Sequence, residues 1–237
     1  RGGKGAPSRL FALEMASAGP MDIKICGLRT EEALAAAIAG GASHVGFIFF
    51  PKSPRNIEPA EAGRLRRLAS GKAKAVAVTV DADDATLDGI VKAVAPDMLQ
   101  LHGSENPARI SAIKARYGLP VMKALSIRDK SDLDRVMDYA GTADRLLFDA
   151  KPPKGAELPG GNGIAFDWRL LADVDPAIRY MLSGGLNAAN IAEALAIARP
   201  SGIDISSGIE SAPGVKDVRL IEAFFRAVAA ARENQAA

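Results

Sequence analysis

The chain is poor in the residues that carry cross-linking and metal chemistry. It has one cysteine, Cys26, and two histidines in 237 residues. A single thiol cannot close an internal disulfide, so nothing supports an oxidising compartment, and a cytoplasmic location is expected. Two histidines and one cysteine at the ends of different strands do not make a zinc set, so no metal is expected. An excess of one charge is missing too. Thirty basic residues face 28 acidic ones, for a formal net charge of +2. They form neither a nucleic-acid stripe nor a polybasic membrane patch, so neither kind of partner is expected. No run of about 18 apolar residues occurs, and no transmembrane helix is expected. A Gly-x-Gly-x-x-Gly fingerprint after a strand is also absent. Gly161-Asn162-Gly163 lies in a loop and lacks the third glycine.

What is present is a βα alternation. With 48% hydrophobic residues the chain can bury a sizeable core, and α/β barrels of this length can be single domains. Residues 1–20 differ from the rest, being basic and Gly-rich before a short apolar stretch that Glu14 interrupts. They read as a leader or added extension, with the barrel domain over 21–237. Strands are predicted over Ile23–Cys26, His44–Phe49, Ala75–Val80, Met98–Leu101, Val121–Ala124, Arg145–Asp149, Tyr180–Leu182 and Ile203–Ile205. Helical spacing follows each one, over Glu31–Ala39, Pro59–Ala69, Ala85–Val94, Pro107–Tyr117, Lys130–Tyr139, Asp167–Leu171, Ala188–Ala198 and Asp217–Arg232. Eight such units predict a single (β/α)8 TIM barrel, with a doubly wound open sheet as the alternative.

In such folds ligands gather at the carboxyl ends of the strands. Cys26 ends the first strand and Asp149 the sixth, so a thiol and a carboxylate are expected to face one ligand as base and acid. A lone cysteine can equally be a small buried hydrophobe. Gly184 and Gly185 follow the seventh strand, and Ser207 and Gly208 follow the eighth. Small residues let backbone N–H groups approach a phosphate, and a helix N-terminus behind them would add about half a positive charge. Arg55, on a proline-stiffened loop, can hold a carboxylate or phosphate bidentately, or be a solvated surface arginine. His102 beside a turn glycine is either a proton carrier or structural. Lys24 shares strand parity with Cys26 and would favour a thiolate. Asp81, Asp83 and Asp84 are expected to cap the following helix. Residues 150–163, rich in Lys, Pro and Gly, read as a mobile lid, or as a plain connector.

Taken in order, Lys24-Ile-Cys-Gly-Leu28, the run from Gly46 to Arg55, Leu99-Gln-Leu-His-Gly-Ser-Glu105, Leu147-Phe-Asp-Ala-Lys151, Gly160–Gly163, Leu182-Ser-Gly-Gly-Leu186, the run from Asp204 to Glu210 and Pro213–Asp217 resemble the phosphoribosylanthranilate isomerase family. The resemblance spans the whole barrel. It implies Cys26 as general base, Asp149 as general acid, and Arg55 on the anthranilate carboxylate. It further implies His102, Lys24 and Gln100 as substrate-binding residues, and Gly184, Gly185, Ser207 and Gly208 on the phosphate. The implied reaction is an Amadori rearrangement of a phosphorylated aminosugar, a small-molecule substrate, without a cofactor, by a monomer or homodimer. Asn162, where Thr or Ser is expected, and Val80-Asp81, where Val-Asn is usual, depart from the pattern and bear on loop contacts. Indole-3-glycerol-phosphate synthase would need a Lys and Glu set at the strand ends. The histidine-pathway aminosugar isomerase would place an Asp at Cys26. A catalytically silent phosphate-binding barrel would have lost Cys26 or Asp149.

Overall fold

A computed structural model of the chain describes residues 21–151, 158–161, 163 and 165–236. The expected leader, 1–20, lies outside the described residues, as do 152–157 and 162 of the expected lid. Eight parallel strands close into a barrel in sequence order. They are β1 (Asp22–Cys26), β2 (His44–Phe49), β3 (Lys74–Thr79), β4 (Met98–Leu101), β5 (Val121–Ile127), β6 (Arg145–Ala150), β7 (Tyr180–Leu182) and β8 (Gly202–Ile205). Closure is made by β1 on β8, with Lys24 opposite Asp204.

Strand parity divides the core into two layers. Cys26, Val76, Val78, Met98, Met122, Ala124, Leu147 and Met181 fill the inside of the barrel. Their neighbours in sequence, among them Ile25, Phe47, Ala77, Leu99, Phe148 and Ile203, face outward against the helices in a larger apolar layer. Successive side chains on a strand point to opposite faces, so a near-continuous apolar run serves both layers. Gly46 belongs to the inner face. A Cβ there would stand 3.0 Å from Cys26 Sγ and 3.1 Å from Lys24 Nζ, so the missing side chain makes room for both.

The helices are α1 (Glu31–Ala39), α2 (Pro59–Ala69), α3 (Asp84–Val94), α4 (Pro107–Tyr117), α5 (Val136–Ala140), α6 (Ile191–Ala198) and α7 (Val218–Ala236). Their starts follow local chemistry. Thr30, Asp83 and Asn106 accept N–H bonds as N-caps of α1, α3 and α4, and prolines open α2 and α4. Of the three clustered aspartates only Asp83 is the cap. Asp81, at a φ of 47°, turns away to accept from Ser104 N, and Asp84 pairs with Arg109.

Four units differ from the helical expectation. The predicted Lys130–Tyr139 helix splits into a 3-10 turn (Lys130–Arg135) and the short α5. The sixth crossover is a 3-10 helix (Trp168–Asp173), and α6 begins three residues later than predicted. After β8 a 3-10 turn (Ser207–Ile209) leads into an antiparallel hairpin, β9 (Glu210–Ala212) and β10 (Val215–Lys216), before α7. No helix among the described residues is long and apolar enough to cross a membrane.

Candidate active site

The carboxyl ends of the strands open into one pocket. It is lined by Cys26, Arg55, Gln100, His102, Asp149 and the turns after β7 and β8, with Leu158 to Gly161 across one side. All of these sit at strand ends or in the loops that follow, where a barrel leaves its interior unfilled.

Cys26 is the last residue of β1 and is 5% exposed. Two residues earlier, Lys24 is fully buried, with Nζ donating to Asp204 Oδ1 at 2.8 Å. The expected parity of Lys24 and Cys26 therefore holds, and both point inside. Burial pushes the Cys26 thiol above its ordinary value. Asp204 adds to that rise, while Lys24 and, more weakly, Lys216 oppose it. Lys24 does favour the thiolate as expected, but desolvation outweighs it, and the resting group is the thiol. Lys24 itself is held above the ordinary lysine range. Burial works against its charge, but Asp204 and Cys26 together outweigh that cost.

Across the barrel, Asp149 is 4% exposed and is the penultimate residue of β6, before Ala150, whose N–H donates to its Oδ1 at 2.9 Å. Its Oδ2 lies 3.3 Å from His102 Nε2, close but not aligned for a hydrogen bond. Gln100 Nε2 is 3.2 Å from His102 Nδ1. With the amide assigned as the donor, the ring proton resides on Nε2, toward the carboxylate. Gln100 is fully buried, and its Oε1 has no partner among the described residues. That acceptor, on a pocket-lining side chain, is available to a ligand donor. Gly160 packs on the same group. A Cβ there would stand 2.5 Å from Asp149 Oδ2 and 2.8 Å from His102 Nε2. The second lid glycine thus serves close approach as well as backbone freedom. An alanine at Gly160 would disturb the carboxylate itself and would not report on loop motion alone.

The turns after β7 and β8, where phosphate is expected, have the expected small residues but different surroundings. Gly184 and Gly185 adopt φ of 89° and 63°, the left-handed region open to glycine. Among the described residues, no hydrogen bond takes their N–H groups. The turn after β8 leads into the Ser207–Ile209 3-10 turn and the hairpin, so no α-helix stands directly behind it. Lys216 Nζ lies beneath this turn, donating to Ser206 O at 2.9 Å and Ser206 Oγ at 3.1 Å. Ser206 Oγ in turn donates to Cys26 O at 3.2 Å, tying the turn after β8 to β1.

Arg55 is 4% exposed, which removes the solvated-surface alternative. Its stem crosses Gly27, where a Cβ would meet Arg55 Cδ at 2.9 Å. Sequence patterns assign no role to Asp204 and Glu210, the charged partners of Lys24 and Arg55, nor to Lys216, which pairs with Glu210. Asp204 was accessible through strand parity, since it stands between the outward Ile203 and Ile205. Lys216 carried no signal, because its position depends on a hairpin that was not foreseen. Among the described residues, no group of three or more His, Cys, Asp or Glu could hold a metal ion.

An eight-stranded parallel barrel whose mouth brings a buried thiol and a buried carboxylate into one pocket, beside two glycine turns, defines a TIM barrel with a pocket at the carboxyl ends of its strands. Comparison with known proteins narrows this class. The family model described as N-(5'phosphoribosyl)anthranilate (PRA) isomerase matches residues 23–227. The N-(5'-phosphoribosyl)anthranilate isomerase of Mesorhizobium japonicum is 71% identical over 217 residues, covering 92% of this chain and 99% of that one. A crystal structure of phosphoribosyl anthranilate isomerase in complex with reduced 1-(o-carboxyphenylamino)-1-deoxyribulose 5-phosphate superposes with a TM-score of 0.78 at 30% identity, covering 89% of this chain and 100% of that one. Monomers generated from the dimeric enzyme of Thermotoga maritima give 0.77 at 31% identity, with 89% and 100% covered. The chain belongs to the N-(5'-phosphoribosyl)anthranilate isomerase family.

Proposed function

We propose that this chain converts N-(5-phosphoribosyl)anthranilate to 1-(2-carboxyphenylamino)-1-deoxyribulose 5-phosphate, a step of tryptophan biosynthesis, with Cys26 as base and Asp149 as acid. The observation that carries the assignment of roles is the placement of a buried thiol on β1 and a buried carboxylate on β6 in one pocket. Asp149 delivers a proton to the furanose oxygen, the C1–O bond breaks, and a Schiff base forms. Cys26 then removes the C2 proton, and the resulting enolamine tautomerises to the ketone. C1 is reduced as C2 is oxidised, so the electrons balance within the substrate.

Gly184, Gly185, Ser207 and Gly208 take the phosphate, Arg55 takes the anthranilate carboxylate, and Gln100 and His102 bind the sugar and hold the acid. Lys24 acts on the substrate only through the potential it places at Cys26. Loop 150–163 covers the opened Schiff base and excludes water. The enzyme works in the cytoplasm as a monomer or homodimer.

The substrate's anthranilate fluorescence should decay when purified protein alone is added. Asp149→Asn should remove that decay, on the order of 10²-fold or more in kcat, with little change in product affinity. Full turnover in Asp149→Asn would overturn the acid assignment. No decay with the parent protein would overturn the activity.

A further inference from the structure

Arg55 is already engaged before any ligand is considered. Its Nε donates to Glu210 Oε1 at 2.8 Å and its Nη2 to Glu210 Oε2 at 2.9 Å. The two side chains are 5% and 4% exposed. Nη2 also donates to Gly161 O at 3.2 Å. Nη1 has no protein hydrogen bond among the described residues, and Arg55 lines the pocket. Glu210 has a second cation. Lys216 Nζ, on a side chain 3% exposed, donates to Glu210 Oε1 at 2.7 Å. Its other contacts are the two oxygens of Ser206. Burial lowers Lys216 from the ordinary lysine value, and Glu210 works against that. Three acceptors around one nitrogen match the three donors of an ammonium, so the geometry accommodates Lys216 as a cation. Two cations share one anion, and the cluster keeps one surplus positive charge. Arg55 and Glu210 alone would form a neutral pair with little pull on an anionic ligand.

The fold builds this cluster deliberately. Glu210 and Lys216 pair across the β9–β10 hairpin, where the register shifts by one residue between Val215 and Lys216. The hairpin turn at Gly214 has a φ of 80° and donates its N–H to Glu210 Oε2 at 3.2 Å. It also packs so closely on the Pro54 carbonyl that a Cβ would not fit. The hairpin is thereby fastened to the loop that carries Arg55.

We propose that Glu210 and Lys216 are positioning residues for recognition of the ligand's carboxylate. Glu210 grips the side edge of the Arg55 guanidinium and turns its Nη1 end to the pocket. Lys216 keeps the cluster positive, so that the gripped arginine still attracts an anion. The inference rests on the reading that Arg55 takes the anthranilate carboxylate.

Two ligands test it: the product, and 1-phenylamino-1-deoxyribulose 5-phosphate, which lacks only the carboxylate. Both are titrated against the parent, Glu210→Gln, Lys216→Met and Arg55→Met, and KM and kcat are measured for the substrate. Glu210→Gln and Lys216→Met should each weaken the carboxylated ligand by about tenfold or more, since each breaks a buried charge contact. The phenyl ligand should shift less than about threefold, and KM should rise more than kcat falls. Lys216→Met leaves the Arg55–Glu210 fork in place, so it carries the test if Glu210→Gln fails to fold. Equal weakening of both ligands, or unchanged affinity for the carboxylated one, would overturn the proposal. If Arg55→Met keeps the discrimination between the two ligands, the reading of Arg55 itself falls. If only Arg55→Met loses it, that reading stands and the inference falls.

Discussion

Lys24 and Asp204 form a buried ion pair at the closing seam of the barrel, 2.8 Å apart, with side chains 0% and 5% exposed. Replacing Lys24 by Met keeps most of the stem and removes the ammonium, with two separable consequences. The first is on stability. Asp204 is left as a buried charge without its partner, a loss of about 3–5 kcal/mol. In a domain of this size each kcal/mol lowers Tm by about 2–4 °C, so a fall of about 6–20 °C is expected in a thermal scan. The second is on the base. Lys24 is the largest influence lowering the Cys26 thiol, and Asp204 is one that raises it. Lys24→Met therefore drives the thiol further up from a value that burial has already raised. A base with a raised pKa is short of thiolate at neutral pH and regains it as pH rises, so the alkaline-going limb of kcat/KM moves to higher pH. Each unit of displacement is a tenfold loss of thiolate at a fixed pH below it. Asp204→Asn should move the limb the other way. The double variant Lys24→Met/Asp204→Asn should recover most of the melting temperature and bring the limb back toward that of the parent. A Lys24→Met protein that melts with the parent, or whose limb does not move, would refute this reasoning.

Three further outcomes are expected. Cys26→Ser should keep the fold and lose on the order of 10²-fold or more in kcat, and alkylation of the parent should inactivate it with protection by substrate; near-parental turnover would remove Cys26 as the base. Gly208→Ala should weaken phosphate-bearing ligands and lower Tm together, because its Cβ would fall inside contact distance of the Leu186 carbonyl oxygen. A variant that crystallises with an unchanged turn and binds inorganic phosphate as the parent does would count against that site. At the opposite end of the barrel, burial holds the His44 imidazole down to about 4, against an ordinary 6.5. Its neutral form is the one the fold accommodates. The stability it contributes is complete above pH 6.5 and is lost as pH falls toward 4, by up to about 3 kcal/mol. His44→Gln should flatten that part of the Tm–pH curve, and an unchanged slope would sink the assignment.

Strand and helix positions were legible because each depends on local pattern. The alternation of apolar runs with helical spacing, punctuated by Thr30, Pro59, Asp83 and Asn106, marks β and α units wherever the chain is strongly periodic. It failed where the segment was short. Lys130–Arg135 and Trp168–Asp173 have too few turns for periodicity to separate an α-helix from a 3-10 turn, and tertiary packing chose the tighter form. The two-residue strand β10 is below the length at which any alternation can be read.

The same division runs through the site. Cys26, Asp149 and the glycine turns announce themselves because their residue types are scarce or special and they stand at strand ends. The charges around them do not. Lys24 and Asp204 are separated by 180 residues, Arg55 and Glu210 by 155, and only barrel closure and the hairpin bring each pair together. Sequence by itself determined which groups could act as acid, base and anion holder, since that is a property of side-chain chemistry and strand parity. Tertiary structure alone decided the ionisation of the thiol and the reach of all three. Desolvation of Cys26, the capture of Arg55 by Glu210 and the approach of Gly160 to Asp149 depend on distances between segments remote in the chain, and no local pattern encodes them.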